Sequence, residues 1–291
     1  MRKLLRHLPA VLALGAALYA SAGIVPAALG AEEFKPQVGQ RGKDVIWVPT
    51  PEELVERMLQ MAKVGPSDFV IDLGSGDGRI AIAAGKKFGA RAQGIEYNPD
   101  MVALSTRAAA AAGVSDRVKF VHGDIFQADF SNATVITMYL LPNLNMRLRP
   151  KLLEMKPGTR IVTNSFDMED WQADETGSVD GRTAYLWIVP AKVAGEWELR
   201  IDSGNGASAP QRLGLTQQFQ MVNGSVRSGD HVTPLQGGRL HGADIQFVLA
   251  GERGAKREFS GVVDGATIEG TVKSGNAPAL KWSAKRVAAA K

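Results

Sequence analysis

The sequence predicts an α/β chain in two parts: a parallel sheet alternating with helices, then a smaller antiparallel all-β domain, a sandwich or barrel. Three observations predict it. Between Val48 and Pro190, short apolar runs alternate with helix-length, alanine-rich stretches. After Pro190, glycine becomes dense and apolar residues recur at every second position. In that second part, Asn223-Gly224 and Asp264-Gly265 each sit between apolar stretches, a strong hairpin signal.

The elements follow in order. Thr50 before Pro51 reads as a helix N-cap with proline in the first turn. Phe69 to Leu73 reads as a buried strand, Arg79 to Phe88 as a helix, and Ala92 to Glu96 as a second strand. Asp100 to Ala112 is a helix, with Pro99 suited to its first turn and Gly113 to its stop. Val118 to Val121, Thr134 to Leu140 and Arg160 to Ser165 are further strands, with a helix over Leu144 to Glu154. Tyr185 to Val189 closes the first sheet. This alternation implies parallel pairing through right-handed crossovers. In the second part, Trp197, Leu199 and Ile201 share one strand face. Ile245 to Leu249, Glu258 to Val263, Thr267 to Val272 and Leu280 to Ala284 are short strands.

The first residues are cationic (Met1 to Arg6), then apolar from Leu8 to Leu29, ending in small residues before Glu32-Glu33. That order is a secretory signal peptide. Cleavage fits after Gly30 or Ala31, with Ala20-Ser21-Ala22 as an earlier site. The alternative is an uncleaved anchor, against which Pro9 and Pro26 weigh. The expected organisation is a leader over 1–31, an α/β domain over 32–190 and a β-rich domain over 191–291. The expected location is the periplasm, or the inner membrane if the leader is retained.

The 291 residues include 34 Lys plus Arg, 30 Asp plus Glu and no cysteine. Zero cysteine excludes a disulfide scaffold, a thiol nucleophile and thiolate metal sites. Without Arg2, Lys3 and Arg6 of the leader, 31 cations face 30 acids. There is no basic stripe, so no nucleic-acid partner is expected. His122 reads as a loop histidine. His231 and His241 have no carboxylate at ligand spacing, and no metal is expected.

The chemistry concentrates in Asp72-Leu73-Gly74-Ser75-Gly76-Asp77-Gly78-Arg79, between a strand and a helix. Glycines there let a ligand approach the backbone, and the helix start offers unpaired N–H donors. A dinucleotide fingerprint would place its third glycine at Arg79; here it is Gly78, and Asp72 precedes the first glycine. This D-x-G-x-G-x-G pattern resembles motif I of the Rossmann-like S-adenosylmethionine (SAM) methyltransferases. Glu96 ends the second strand, where such enzymes hold the ribose hydroxyls. Asp124 follows the third, where they place an acid near the adenine.

With Trp47 to Leu59 and Tyr139-Leu140-Leu141-Pro142, the motif is similar to the bacterial relatives of the FAM173 protein-lysine N-methyltransferases. The resemblance spans Trp47 to Trp171. It implies a seven-stranded methyltransferase sheet, SAM as cofactor and methyl transfer to an amine, a protein lysine first among the acceptors. It implies cofactor contacts from Thr50, Asp72, Gly74, Ser75, Gly76, Gly78, Glu96 and Asp124. Tyr139 and Pro142 would line the acceptor channel, replacing the Asn/Asp-Pro-Pro-Tyr of many amino-group methyltransferases. Tyr139, Trp47, Phe166 and Trp171 are candidates for an aromatic mouth; the alternative for each is a core side chain, the commoner place for an aromatic near a strand end. Two alternatives are a small-molecule methyltransferase and a non-catalytic envelope protein binding through the β-rich part.

Overall fold

A computed structural model describes residues 34–202, 208–251 and 255–287. The expected leader and its cleavage positions lie outside the described residues.

The first part is a seven-stranded sheet. Its strands are β1 (Phe69–Leu73), β2 (Arg91–Glu96), β3 (Val118–His122), β4 (Val135–Met138), β5 (Arg160–Asn164), β6 (Glu175–Val179) and β7 (Arg182–Ile188). They lie in the order β3-β2-β1-β4-β5-β7-β6. Neighbours from β3 to β5 pair in parallel. β7 runs antiparallel to both β5 and β6, so the expectation of parallel pairing fails at that edge. The reason is local: Asp180-Gly181 joins β6 to β7 as a tight hairpin, with both residues at positive φ. β6 was not legible in the sequence, because Glu-Thr-Gly-Ser-Val carries no apolar run.

Helices α1 (Glu52–Met61), α2 (Arg79–Phe88) and α3 (Pro99–Ala111) contribute to one core with Val70, Ala92 and Val162. α1 buries Leu54, Val55, Met58 and Leu59, the i, i+1, i+4, i+5 stripe of an amphipathic helix. It is capped by Pro51, not by Thr50 as expected. The Thr50 hydroxyl is engaged elsewhere, accepting from Asn164 Nδ2 at 3.1 Å. α3 begins at Asn98, whose side chain accepts from the Asp100 and Met101 N–H groups.

A second core gathers Ile71, Leu73, Ile136 and Met138 with α4 (Pro142–Leu152). Two irregular segments complete it, one contributing Phe130 and the other Met168 and Trp171.

The second part is a closed antiparallel barrel, which decides between sandwich and barrel. Its strands are β8 (Gly195–Ile201), β9 (Gln211–Gln218), β10 (Met221–Ser228), β11 (His231–His241), β12 (Asp244–Ala250), β13 (Lys256–Asp264), β14 (Thr267–Ser274) and β15 (Leu280–Arg286). β8 closes the ring against both β9 and β15. Trp197, Leu199 and Ile201 point inward as the alternation predicts, beside stacked Phe247 and Phe259 and edge-on Trp282. Asp264-Gly265 does open a hairpin turn, with Asp264 paired to Thr267. Asn223-Gly224 does not. It lies inside β10, where the register with β11 slips between Val222 and Ser225. A Cβ on Gly224 would sit 2.0 Å from the Gly214 carbonyl oxygen, so this glycine serves close strand approach. The real β9–β10 turn is Phe219-Gln220.

Candidate active site

The carboxyl ends of β1, β2 and β4 open onto one cavity of about 300 Å³. An open parallel sheet binds its ligands there, because loops leave the strand ends on one side. Gly74, Gly76 and Gly78 all take positive φ, at 78°, 54° and 82°. They curl the chain from β1 into α2; the Gly74 and Ser75 N–H groups donate to Ile95 O and the Gly78 N–H to Ser75 O. A Cβ on Gly76 would meet Trp47 Nε1 at 2.8 Å, so only glycine fits beneath that ring. Gly78 has a different reason: its Cβ would lie 2.5 Å from Phe120. It packs helix against sheet and does not line the cavity.

Asp72 ends β1 in a nearly closed environment, 2% exposed. It accepts from the Thr137 hydroxyl of β4 at 2.7 Å. Burial pushes its carboxyl up to about 7. The Thr137 bond opposes the rise, and the nearby charges of Asp77 and Glu96 add to it. Glu96 accepts from the Gly76 N–H and the Asn98 N–H, each at 2.9 Å, so the glycine loop and α3 share one carboxylate. Asp124 accepts from Lys43 Nζ at 2.7 Å and from the Phe126 N–H at 2.9 Å, which hold its carboxyl below the usual range. The Ser75 hydroxyl is buried without a partner among the described residues.

A strap crosses the cavity. The Gly39 N–H donates to Trp47 O and the Trp47 N–H to Gln40 O, both at 2.9 Å, around an Arg41–Ile46 bridge. The strap carries Lys43 and Trp47 over the site; the Lys43 ammonium also sits 4.7 Å from the Tyr97 ring centre. Sequence reasoning missed Lys43 and Tyr97. Lys43 had no signal, being one lysine in a polar stretch. Tyr97 had one, its place directly after Glu96.

The cavity also has apolar walls. Tyr139, Leu140 and Leu141 enter from the end of β4, and Phe166 from beyond β5. The Tyr139 and Phe166 rings stack at 6.4 Å and 26°. Of the expected residues, Thr50, Asp72, Gly74, Ser75, Gly76, Glu96, Asp124 and Tyr139 line the cavity, with Trp47 and Phe166. Pro142 does not; it opens α4 as its first residue, exposed. Trp171 is not part of the mouth either. It is fully buried, stacked on Phe219 at 5.8 Å and against Trp187 at 6.0 Å. The second core takes up its large apolar ring, which gains more there than at a wet rim.

Such a sheet order, with a glycine cradle and three strand-end acids, defines the class of SAM-dependent methyltransferases. The residues fit that cofactor: a cradle that tolerates no side chain at Gly76, and an unpartnered buried hydroxyl at Ser75. A family model for the ANTKMT methyltransferase domain matches residues 72–175. A protein-lysine N-methyltransferase of Saccharolobus islandicus is 44% identical over 151 residues, covering 50% of this chain and 94% of that protein. The adenine nucleotide translocase lysine N-methyltransferase of Mus musculus is 33% identical over 129 residues, 44% of this chain and 56% of its own length. A structure described as an RNA methyltransferase from Salinibacter ruber with S-adenosyl-L-homocysteine is 50% identical, covering 50% of this chain and 96% of that one, with a TM-score of 0.49. The chain belongs to the family of SAM-dependent methyltransferases that includes the Saccharolobus enzyme.

Proposed function

We propose that this protein methylates a lysine ε-amine of a protein substrate, by in-line displacement, outside the cytoplasm. The carrying observation is the polarity of the cavity. Its lining joins the glycine cradle and carboxylates to apolar walls formed by Leu141 and the stacked Tyr139 and Phe166, with Trp47 lying over the cradle at Gly76. The naming of its relatives as lysine methyltransferases supports the acceptor class.

The bound cofactor supplies an electrophilic methyl group. The chain must do the rest. A lysine ammonium titrates near about 10.4 in water, and only its neutral form carries the attacking lone pair. An apolar aromatic mouth disfavours the cation and lets it shed its proton to water. The Tyr139 hydroxyl, or a backbone carbonyl of the same segment, then orients the amine. Attack forms the N–C bond as the C–S bond breaks, so the main contribution is alignment. Glu96 and Asp124 are read as holding the ribose and adenine, with Thr50 and Ser75 beside them. The leader read over residues 1–31 supports export to the periplasm, the alternative being an uncleaved leader that anchors the protein to the inner membrane.

The test incubates the purified protein with methyl-tritiated SAM and poly-L-lysine, then with envelope proteins, and analyses hydrolysates for methyl-lysine. Methyl-lysine formation lost in Asp72→Ala is expected. Saturable SAM binding with label only on small molecules would overturn the lysine reading. N-terminal sequencing of the protein recovered from the periplasm should begin at Ala31 or Glu32; recovery only from the cytosol would overturn the location.

A further inference from the structure

The connection from β5 to β6 is unusual. A crossover between strands of the same direction normally carries a helix that covers the sheet. Here residues 165–174 have no regular structure. Two of them, Ser165 and Glu169, hold positive φ at 66° and 54° without being glycine, a conformation that persists only where surroundings impose it. This same segment delivers Phe166 to the cavity wall, beside Tyr139.

The barrel holds its second half, at Trp171, Gln172 and Asp174. Phe219, in the β9–β10 turn, stacks face to face on Trp171 at 15° between planes. Phe219 itself has φ of 52°. Gln220, 3% exposed, donates its side-chain amide to Gln172 O at 2.7 Å. Arg239 of β11 pairs with Asp174 at 2.8 Å. From the other side, Arg149 of α4 donates to Met168 O at 3.0 Å and lies 5.2 Å over the Phe219 ring. Asn145 reaches the carbonyls of Phe166 and Asp167 at 3.3 Å. The Trp171 Nε1 is buried with no acceptor among the described residues, so packing and stacking fix that ring.

We propose that the barrel is a strut for the acceptor wall: its Phe219-Gln220 turn takes the place of a crossover helix and holds residues 165–174, and through them Phe166, against Tyr139. Phe219 and Gln220 are then positioning residues, touching neither cofactor nor acceptor. That this wall faces an acceptor rests on the function proposed above; the holding of the segment does not.

The test uses the full chain carrying Phe219→Gly, Gln220→Ala or Phe219→Tyr. Glycine accepts the positive φ, so Phe219→Gly removes the ring while relaxing the turn. Hydrogen exchange by mass spectrometry reads residues 165–174, whose Ser165, Trp171 and Asp174 N–H groups are hydrogen-bonded. Calorimetry reads SAM affinity. Phe219→Gly and Gln220→Ala should each raise exchange in 165–174 at least tenfold. Exchange in β1 and β4, and the SAM Kd, should stay within twofold, and Phe219→Tyr should restore the native pattern. With poly-L-lysine as acceptor, kcat should fall five- to tenfold at constant KM for SAM. Unchanged exchange in 165–174 would overturn the strut. So would equal acceleration throughout the chain, or raised exchange with unaltered kcat. If Phe219→Gly does not fold, Gln220→Ala, which deletes one hydrogen bond, decides by the same criteria. A wild-type protein inert toward poly-L-lysine would count against the lysine reading alone, and exchange would still judge the strut.

Discussion

Asp72→Asn should make the cofactor-free protein more stable and less able to bind SAM. The asparagine keeps an oxygen for the Thr137 hydroxyl and removes the buried charge. The folded carboxyl titrates at about 7, against 3.8 as the ordinary value. In the unfolded chain the proton leaves first, so folding takes up a proton between about pH 4 and 7 and stability falls as pH rises through that window. Below pH 4 both states are protonated and nothing is lost. Above pH 7 the full cost remains. About three pH units at 1.36 kcal/mol each is about 4 kcal/mol at pH 8, and the same arithmetic leaves about 1.6 kcal/mol at pH 5. Asp72 is almost wholly screened from solvent, which makes this an upper bound set by relaxation rather than by water. Urea unfolding of both proteins without SAM, at pH 5 and pH 8, is the assay. The advantage of Asp72→Asn should widen by about 2–3 kcal/mol between the two pH values. An advantage independent of pH, or none at pH 8, would refute burial as the dominant influence on this carboxyl. The retained cost marks Asp72 as a residue kept for the ligand against stability.

Three further outcomes are expected. Gly76→Ala forces a Cβ to within 2.8 Å of Trp47 Nε1 at φ 54°, so calorimetry should show at least tenfold weaker SAM binding in a folded protein. Tyr139→Phe keeps the stack on Phe166 and deletes only the hydroxyl; kcat toward poly-L-lysine should fall about tenfold, one hydrogen bond's worth, with SAM Kd unmoved. An undiminished rate would pass the orienting role to a backbone carbonyl. Trp171→Ala should cost about 3–5 kcal/mol in denaturant unfolding, because it empties a core site between Trp187 and Phe219. Loss of acceptor turnover without loss of stability would return Trp171 to the mouth.

Local rules carried most of the architecture. β1 and α2 are legible because a buried parallel strand must be continuously apolar and the glycine loop between them has one conformational purpose. Asp72, Glu96 and Asp124 are legible because strand ends are countable along the chain, and the strand ends converge in space. The barrel strands were readable wherever inward residues alternate, as in β8 and β12. Readings failed where a residue's reason lies across the fold. Asn223-Gly224 has the composition of a turn, yet Gly214 on β9 requires that glycine inside a strand. Thr50 has the form of an N-cap, yet Asn164, 114 residues away, takes its hydroxyl. Trp171, an aromatic near a strand end, stood open between mouth and core, and the packing of Trp187 and Phe219 decides for core.

The chain by itself therefore determined the parallel strands β1 to β5, the glycine cradle, the three acids and the antiparallel texture of the second part, since each depends on spacing between near neighbours. Tertiary structure alone decided three things. The Lys43 strap lies over Asp124, the buried Asp72 carboxyl rises to about 7, and the barrel's Phe219 supports the segment that carries Phe166. Each arises between residues far apart along the chain, or from exclusion of water, and neither distance nor dielectric is written in the order of amino acids.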